Sequence, residues 1–139
     1  MMPFKTTTKL IFLGLGLVGL VANVPAKAAD VYVIAHPSVK LTLSEIKDVY
    51  LGEKQFSGSL KLAPVDNVTA QAYFLDKAIH MDATKYAALW IKKGFRGGLA
   101  SPPVKSSDAE VISFVKNTAG AIGYISTPPS SGVQQLFKY

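Results

Sequence analysis

Arg96 is the residue of this chain best suited to contact an oxyanion, because it is the only arginine and it follows Lys92 and Lys93. A guanidinium offers a fixed fork of N–H donors that can match an oxyanion at two points. Two glycines follow, but the spacing of a Walker loop or of a dinucleotide-binding fingerprint is missing. We expect residues 94–103 to be irregular, so Arg96 is interpreted as an oxyanion contact, with a solvated loop charge as the alternative.

A second candidate site is the turn at 66–69, which follows a predicted strand and precedes a predicted helix. Asp66, Asn67 and Thr69 are residue types that favour turns and helix N-caps. The first N–H groups of a helix have no partner inside it and lie at the positive end of its dipole, which suits an anion. These three residues are therefore candidate ligands. The alternative is that Asp66 or Thr69 only caps the helix.

His36 and Ser38 are further candidates, because they directly follow the first predicted strand. The other histidine, His80, lies at a predicted helix end and is the weaker candidate. For both histidines a structural or solvated role is the alternative. The chain has no cysteine and no paired-histidine spacing, so no metal site and no cofactor is expected. No nucleophile motif is present either, and an enzyme is not expected.

Alternating strand and helix patterns predict the elements that position these residues. Apolar, β-branched runs predict strands at 31–35, 60–65, 121–125 and 133–139. Helical spacing and capping patterns predict helices after Thr42, over 70–79, over 83–93 and after Ser107. This order favours a three-layer α/β fold with a mostly parallel sheet of about four to five strands and helices on both faces. Ligands of such sheets bind beyond the carboxyl ends of the strands, so we expect His36, Asp66 and Ser126 at one edge.

The N-terminus has the layout of a secretory signal peptide. Lys5 and Lys9 precede an apolar run at 10–22, and small residues precede a cut after Ala28. This run of about 13 residues is shorter than the about 20 that a membrane-spanning helix needs. We therefore expect a signal peptide at 1–28, a single domain at 29–139 and a periplasmic location.

The charge of the predicted mature domain favours small anions over nucleic acid. The chain carries 15 lysines and arginines against nine carboxylates, and three of the lysines lie in the predicted signal peptide. The remaining 12 cations give a mildly basic domain that attracts small anions. Nucleic-acid-binding domains cluster such residues on one face, and no such partner is expected.

Three segments of the chain resemble the periplasmic phosphate-binding proteins of ABC transporters, a superfamily of type 2 periplasmic binding proteins. They are residues 41–52, residues 62–66 and residues 107–125, the last ending in Gly-Ala-Ile-Gly-Tyr-Ile. The resemblance implies the fold of one lobe of such a protein and a phosphate-like ligand. It departs from the family at the ligand motif, where Asp66 is kept but Pro64 and Val68 replace an arginine and a serine.

Two functions follow as hypotheses. The first is an exported solute-binding protein that takes a small anion such as phosphate, in or beside an ABC uptake system with a membrane permease. The alternative is an interaction module that docks a partner or forms a homodimer through the surface that a second lobe would cover. Fold similarity by itself does not decide between them.

Overall fold

A computed structural model describes residues 30–139 of the chain. Eight short strands are present: β1 (Tyr32–Ala35), β2 (Phe56–Ser57), β3 (Leu60–Lys61), β4 (Ala63–Pro64), β5 (Asp66–Asn67), β6 (Val104–Lys105), β7 (Ala121–Ile125) and β8 (Gln134–Lys138). The helices are α1 (Leu43–Tyr50), α2 (Gln71–Phe74), α3 (Ala83–Gly97) and α4 (Asp108–Asn117), and α2 continues as a π-helical turn (Leu75–Ile79). No helix of the described range is long and apolar enough to cross a lipid bilayer.

The main sheet has four strands in the order β4-β7-β1-β8. β4 pairs with β7 in parallel, whereas β1 pairs antiparallel with both β7 and β8. β5 and β6 form a second parallel pair directly after β4. The α/β class and the strand number are confirmed. The expected parallel pairing holds for β4 and β7 but not for β1, which runs antiparallel to both of its neighbours. The sheet is therefore mixed.

Helices cover both faces of this sheet. On one face, α4 packs Val111 and Val115 against Ile34 and Ile125. On the other face, α1, α2 and α3 enclose a larger cluster that includes Tyr50, Phe74, Tyr86, Trp90 and Tyr124. Alternating residues of β7 point to opposite faces, as a pleated strand requires. The layered arrangement expected from the sequence is therefore confirmed.

Gly123 allows α4 to lie close against the sheet. A Cβ atom at this position would lie 2.5 Å from Cγ1 of Val111 and 3.2 Å from Cγ2 of Val65. A side chain there would force α4 away from β7. The glycine therefore fixes the spacing between this helix and the strand.

Most predicted helix boundaries agree with the structure. Thr42 N–H donates to the Glu45 carboxylate at 3.0 Å, and Ser107 Oγ accepts from Glu110 N–H at 3.2 Å. Gly52, with φ of 71°, follows α1 as predicted. The predicted strand over 60–65 was wrong in extent, because β3 pairs with β2 in a hairpin and β4 is a separate piece. The predicted signal peptide lies outside the described residues.

Candidate functional site

Asp66 is a buried carboxylate at the end of the parallel part of the sheet. Its side chain and backbone are 1% exposed. Oδ1 accepts a hydrogen bond from the Tyr124 hydroxyl at 2.8 Å, and Oδ2 accepts one from the Tyr86 hydroxyl at 2.9 Å. Tyr124 belongs to β7 and Tyr86 to α3, so this carboxylate joins the sheet to the long helix.

Burial dominates the protonation of Asp66. Loss of water raises its pKa from 3.8 to about 6, although the hydroxyl donors of Tyr124 and Tyr86 pull in the opposite direction. The same burial and the nearby carboxylate raise the pKa of both tyrosines above their ordinary value. The tyrosines therefore stay protonated and act as donors, while Asp66 changes charge close to neutral pH.

Asn67 is fully buried and links three segments. Its Nδ2 group donates to Asp108 at 2.6 Å and to the Tyr124 carbonyl at 3.0 Å. Asp108 also accepts from the backbone and the hydroxyl of Ser126, at 3.1 and 2.6 Å. Asn67 thus ties β5 to the start of α4 and to the end of β7. The expectation that the segments after β4 and β7 meet at one edge of the sheet is confirmed.

The amides of the turn after Asn67 already have partners. Val68 N–H donates to the Lys105 carbonyl, and the N–H groups of Thr69 and Ala70 donate to the side chain and the carbonyl of Asn67. The N-cap of α2 is Ala70, without a side-chain cap. Neither Asp66 nor Thr69 caps the helix, and that prediction was wrong, because Asn67 holds the turn instead.

The first open amides of α2 lie one step further along the chain. Phe74 N–H donates to the Ala70 carbonyl at 3.0 Å, so the N–H groups of residues 71–73 precede the first intrahelical bond. Gln71 and Asp66 both line a groove of about 670 Å³. Most of its other lining residues are apolar, and they include Trp90, Phe95 and Val104. A carboxylate beside these amides opposes anion binding there.

Arg96 lies in the last turn of α3, not in a loop. The prediction that 94–103 is irregular was wrong for its first part, because α3 continues to Gly97 and ends at Gly98, whose φ is 66°. About ten residues of helix, or roughly 15 Å, separate Arg96 from Tyr86. Arg96 is therefore not brought together with Asp66, Asn67 and Thr69.

Arg96 instead shares a groove of about 680 Å³ with other cations of α3. Lys85, Lys92 and Lys93 line the same groove, together with Glu53 as its one carboxylate. Lys93 lies 3.4 Å from Glu53 and is paired with it. The excess of cations makes this groove the most basic concave surface among the described pockets.

His36 and Ser38 lie at the opposite edge of the sheet. His36 Nδ1 and Ser38 Oγ are 2.6 Å apart, and Ser38 Oγ accepts from Gly120 N–H at 3.3 Å. His36 N–H donates to the carbonyl of Ala121, the first residue of β7. The expectation that His36 joins Asp66 was wrong, because β1 runs antiparallel to β7 and its carboxyl end meets the amino end of that strand.

The exposed side of α3 is a candidate surface that the sequence did not predict. Ile91 and Phe95 stand at helical spacing on one side, and Lys85, Lys92 and Arg96 stand on another. The predicted helix ended at Lys93, so Phe95 and Arg96 were not recognised as part of this pattern. A helical pattern continued through Gly94 to the paired glycines would have found it. Within residues 30–139 no cluster of three metal-ligating side chains is present.

Similar solved structures exist for this chain, but no protein-family model matches it. No protein-family model and no curated protein sequence matches the chain. Among solved structures, PstS from Borrelia burgdorferi is 18% identical with a TM-score of 0.50, over 70% of this chain and 41% of that one.

Two further solved structures are similar. An ABC-type phosphate transport receptor from Vibrio cholerae is 15% identical with a TM-score of 0.48, over 78% of this chain and 46% of that one. A putative phosphate ABC transporter substrate-binding protein with bound phosphate, from Clostridium perfringens, is 20% identical with a TM-score of 0.49, over 78% and 45%. The chain spans less than half the length of each of these proteins. Over 70% of its length, this chain therefore has the fold of one part of PstS, in agreement with the fold that the sequence resemblance implied.

Proposed function

We propose that this chain is an exported, periplasmic solute-binding protein that binds a small oxyanion such as phosphate weakly, through the basic groove of α3. The observation that carries the proposal is that Lys92, Lys93 and Arg96 lie within about one turn of α3, on a concave surface lined by a single carboxylate. Arg96 supplies the fork of donors, and Lys92 adds a second positive charge. The proposed ligand class is the one that the sequence resemblance implied.

The proposed affinity is low because the groove is open to water. Lys85, Lys92 and Arg96 are exposed, and each contact between exposed charges contributes little in a high dielectric. A dissociation constant on the order of 1 mM is expected, and it rises with ionic strength. Such a protein would work in or beside an ABC uptake system with a membrane permease, as the sequence resemblance implied.

Nuclear magnetic resonance titration with sodium phosphate tests the proposal and locates the site. We expect the amide signals of Arg96 and of the two glycines after it to shift with a saturating curve. Arg96→Gln should raise the dissociation constant several-fold, whereas Lys61→Gln, an exposed lysine of β3, should leave it unchanged. Sodium chloride at matched ionic strength is the control for screening.

The same titration contains the contradicting outcomes. Shifts confined to residues 71–73 would move the site to the start of α2 and overturn the role of Arg96. No saturable shift at tens of millimolar phosphate would overturn anion binding altogether. An equal rise of the dissociation constant in Arg96→Gln and Lys61→Gln would mean that phosphate responds to the overall surface charge and not to a site at Arg96.

A second candidate function is an interaction module, favoured by the exposed apolar side chains beside the groove at Asp66. Ile91 is 63% exposed, Phe95 90% and Val104 57%. Exposed apolar residues in one patch mark surfaces that contact another molecule. Two copies meeting through this patch would bring the cations of α3 together, which opposes a homodimer. Light scattering at high protein concentration tests this: a monomer contradicts self-association.

A further inference from the structure

The charges of this chain are segregated in a way that its net charge hides. Residues 83–107, which contain α3 and the segment that follows it, carry five cations and no carboxylate. The other residues of the range 30–139 carry seven cations and nine carboxylates. One region of the surface is therefore strongly basic, while the rest is slightly acidic.

Exposed apolar side chains lie beside these cations on the same helix. Ile91 and Phe95 are 63% and 90% exposed, and Lys92 and Arg96 each follow one of them directly in α3. Val104, which is 57% exposed, lines the same groove as these two apolar residues. A helix with aromatic and aliphatic residues on one side and cations on another is typical of a segment that lies in a membrane interface.

The apolar residues are held outward by the packing of the opposite side of α3. Tyr86 and Trp90, on the inner side, are 5% and 7% exposed. The Tyr86 hydroxyl donates to Asp66, and Trp90 Nε1 donates to the Tyr50 carbonyl at 3.2 Å. These two anchors fix the rotation of the helix, so Phe95 has no route into the core.

We infer that the exposed side of α3 docks this protein onto an anionic lipid bilayer. Ile91, Phe95 and Val104 enter the boundary between headgroups and acyl chains, and Lys85, Lys92 and Arg96 contact lipid phosphates. The first and last of these cations lie 11 positions apart on α3, or about 16 Å, which suits a two-dimensional layer of negative charge better than a single carboxylate. The Phe95 side chain is 90% exposed, so its ring is free to enter a bilayer.

Docking on a bilayer uses the same cations as the proposed anion site, but it also needs the exposed apolar side chains, which free phosphate does not need. A phosphate ion and a lipid phosphate offer the same oxygens to Arg96. Only the bilayer offers an apolar phase to Phe95 and Ile91, and free phosphate gains nothing from them. Loss of the apolar side chains therefore separates the two activities.

Sedimentation with vesicles tests the docking surface directly. We expect the purified protein to bind vesicles of phosphatidylglycerol and phosphatidylethanolamine at 50 mM salt, to detach at 500 mM, and not to bind phosphatidylcholine vesicles. Lys92→Gln/Arg96→Gln should lower the partition coefficient about 25-fold, at about fivefold for each cation. The matched control, Lys40→Gln/Lys61→Gln, removes two exposed lysines elsewhere and should bind like the unchanged protein.

The apolar arm of the test uses Phe95→Ser, which changes a side chain that packs against little else. It should lower vesicle binding about tenfold and leave the phosphate-induced shifts near Arg96 unchanged. Phe56→Ser, at an exposed aromatic residue of the β2–β3 hairpin, is the control and should have no effect. Circular dichroism confirms that both variants are folded.

Each contrary outcome has a distinct meaning. No binding to the anionic vesicles at 50 mM salt would overturn the inference, and so would an equal loss in both lysine double variants. If Phe95→Ser left vesicle binding unchanged, the contact would be electrostatic adsorption only, and the insertion of apolar side chains would be overturned. Binding to polyglutamate but not to vesicles would replace the bilayer with an acidic protein partner. Vesicle binding without any response to free phosphate would overturn only the proposed anion function.

Discussion

Replacing Asp66 with asparagine should remove a pH-dependent loss of stability. The folded state raises the pKa of this carboxyl from 3.8 to about 6, so it keeps a proton that the unfolded chain releases. The free energy of unfolding contributed by Asp66 is therefore highest below pH 4 and falls as the pH rises to about 6. A difference of about two pKa units corresponds to about 3 kcal/mol at pH 7.

The side-chain amide introduced by Asp66→Asn retains the shape of the site and much of its hydrogen bonding, but it cannot ionise. Its carbonyl accepts from one tyrosine hydroxyl, and its NH₂ group donates to the oxygen of the other. Relative to the unchanged protein, Asp66→Asn should thus gain about 3 kcal/mol of stability between pH 4 and pH 7. Taking the difference between the two proteins cancels the titration of the other carboxylates.

Urea unfolding at several pH values measures this difference. Trp90, the only tryptophan, is buried on α3 one helical turn after Tyr86, and its fluorescence reports the transition. Asp76→Asn, at an exposed position of the π-helical turn, is the matched control and should show no such pH dependence. Parallel stability curves for the Asp66→Asn and unchanged proteins would refute the reasoning, because they would mean that water reaches Asp66 in the folded state.

Two further substitutions, one of them with a matched glycine control, test how the site is held. Gly123→Ala should destabilise the fold by about 1–3 kcal/mol, since its Cβ would lie 2.5 Å from Val111, whereas Gly97→Ala, with no atom near its Cβ, should be neutral or slightly stabilising. Chemical denaturation measures both, and equal stability of the two variants would contradict close packing of α4. Asn67→Ala should cost about 2 kcal/mol or more, because the Tyr124 carbonyl and Asp108 lose their donor. A hydrogen-exchange measurement should show faster exchange at the start of α4, and unchanged exchange there would argue against Asn67 as the link.

Local chemistry made several elements predictable. The pairs Thr42 with Glu45 and Ser107 with Glu110 mark helix starts, because a cap involves only residues three positions apart. The apolar run at 121–125 predicted a buried strand, because the hydrophobic pattern of a strand also involves only neighbouring residues. The end of α3 was less predictable, since Gly94 weakens a helix locally while packing of Tyr86 and Trp90 keeps it intact.

Strand direction and the partners of the candidate residues were not predictable. No local sequence feature near β1 predicts that it lies antiparallel to β7, about 90 residues later. That direction alone separates His36 from Asp66. Likewise, the hydroxyl groups that hold Asp66 come from 20 and 58 residues further along the chain. Such contacts depend on how distant elements pack, and a single sequence contains no local sign of them.

The fold class, most helix starts and the residue types available for anion contact were predictable from the amino-acid sequence. Those properties depend on hydrophobic periodicity and on capping, which act over a few neighbouring residues. The burial of Asp66 and Asn67, and the place of Arg96 on the exposed basic and apolar side of α3, became clear only from the packing of distant elements. Packing decides this because Tyr86 and Trp90, the inner anchors of α3, fix which of its side chains face water.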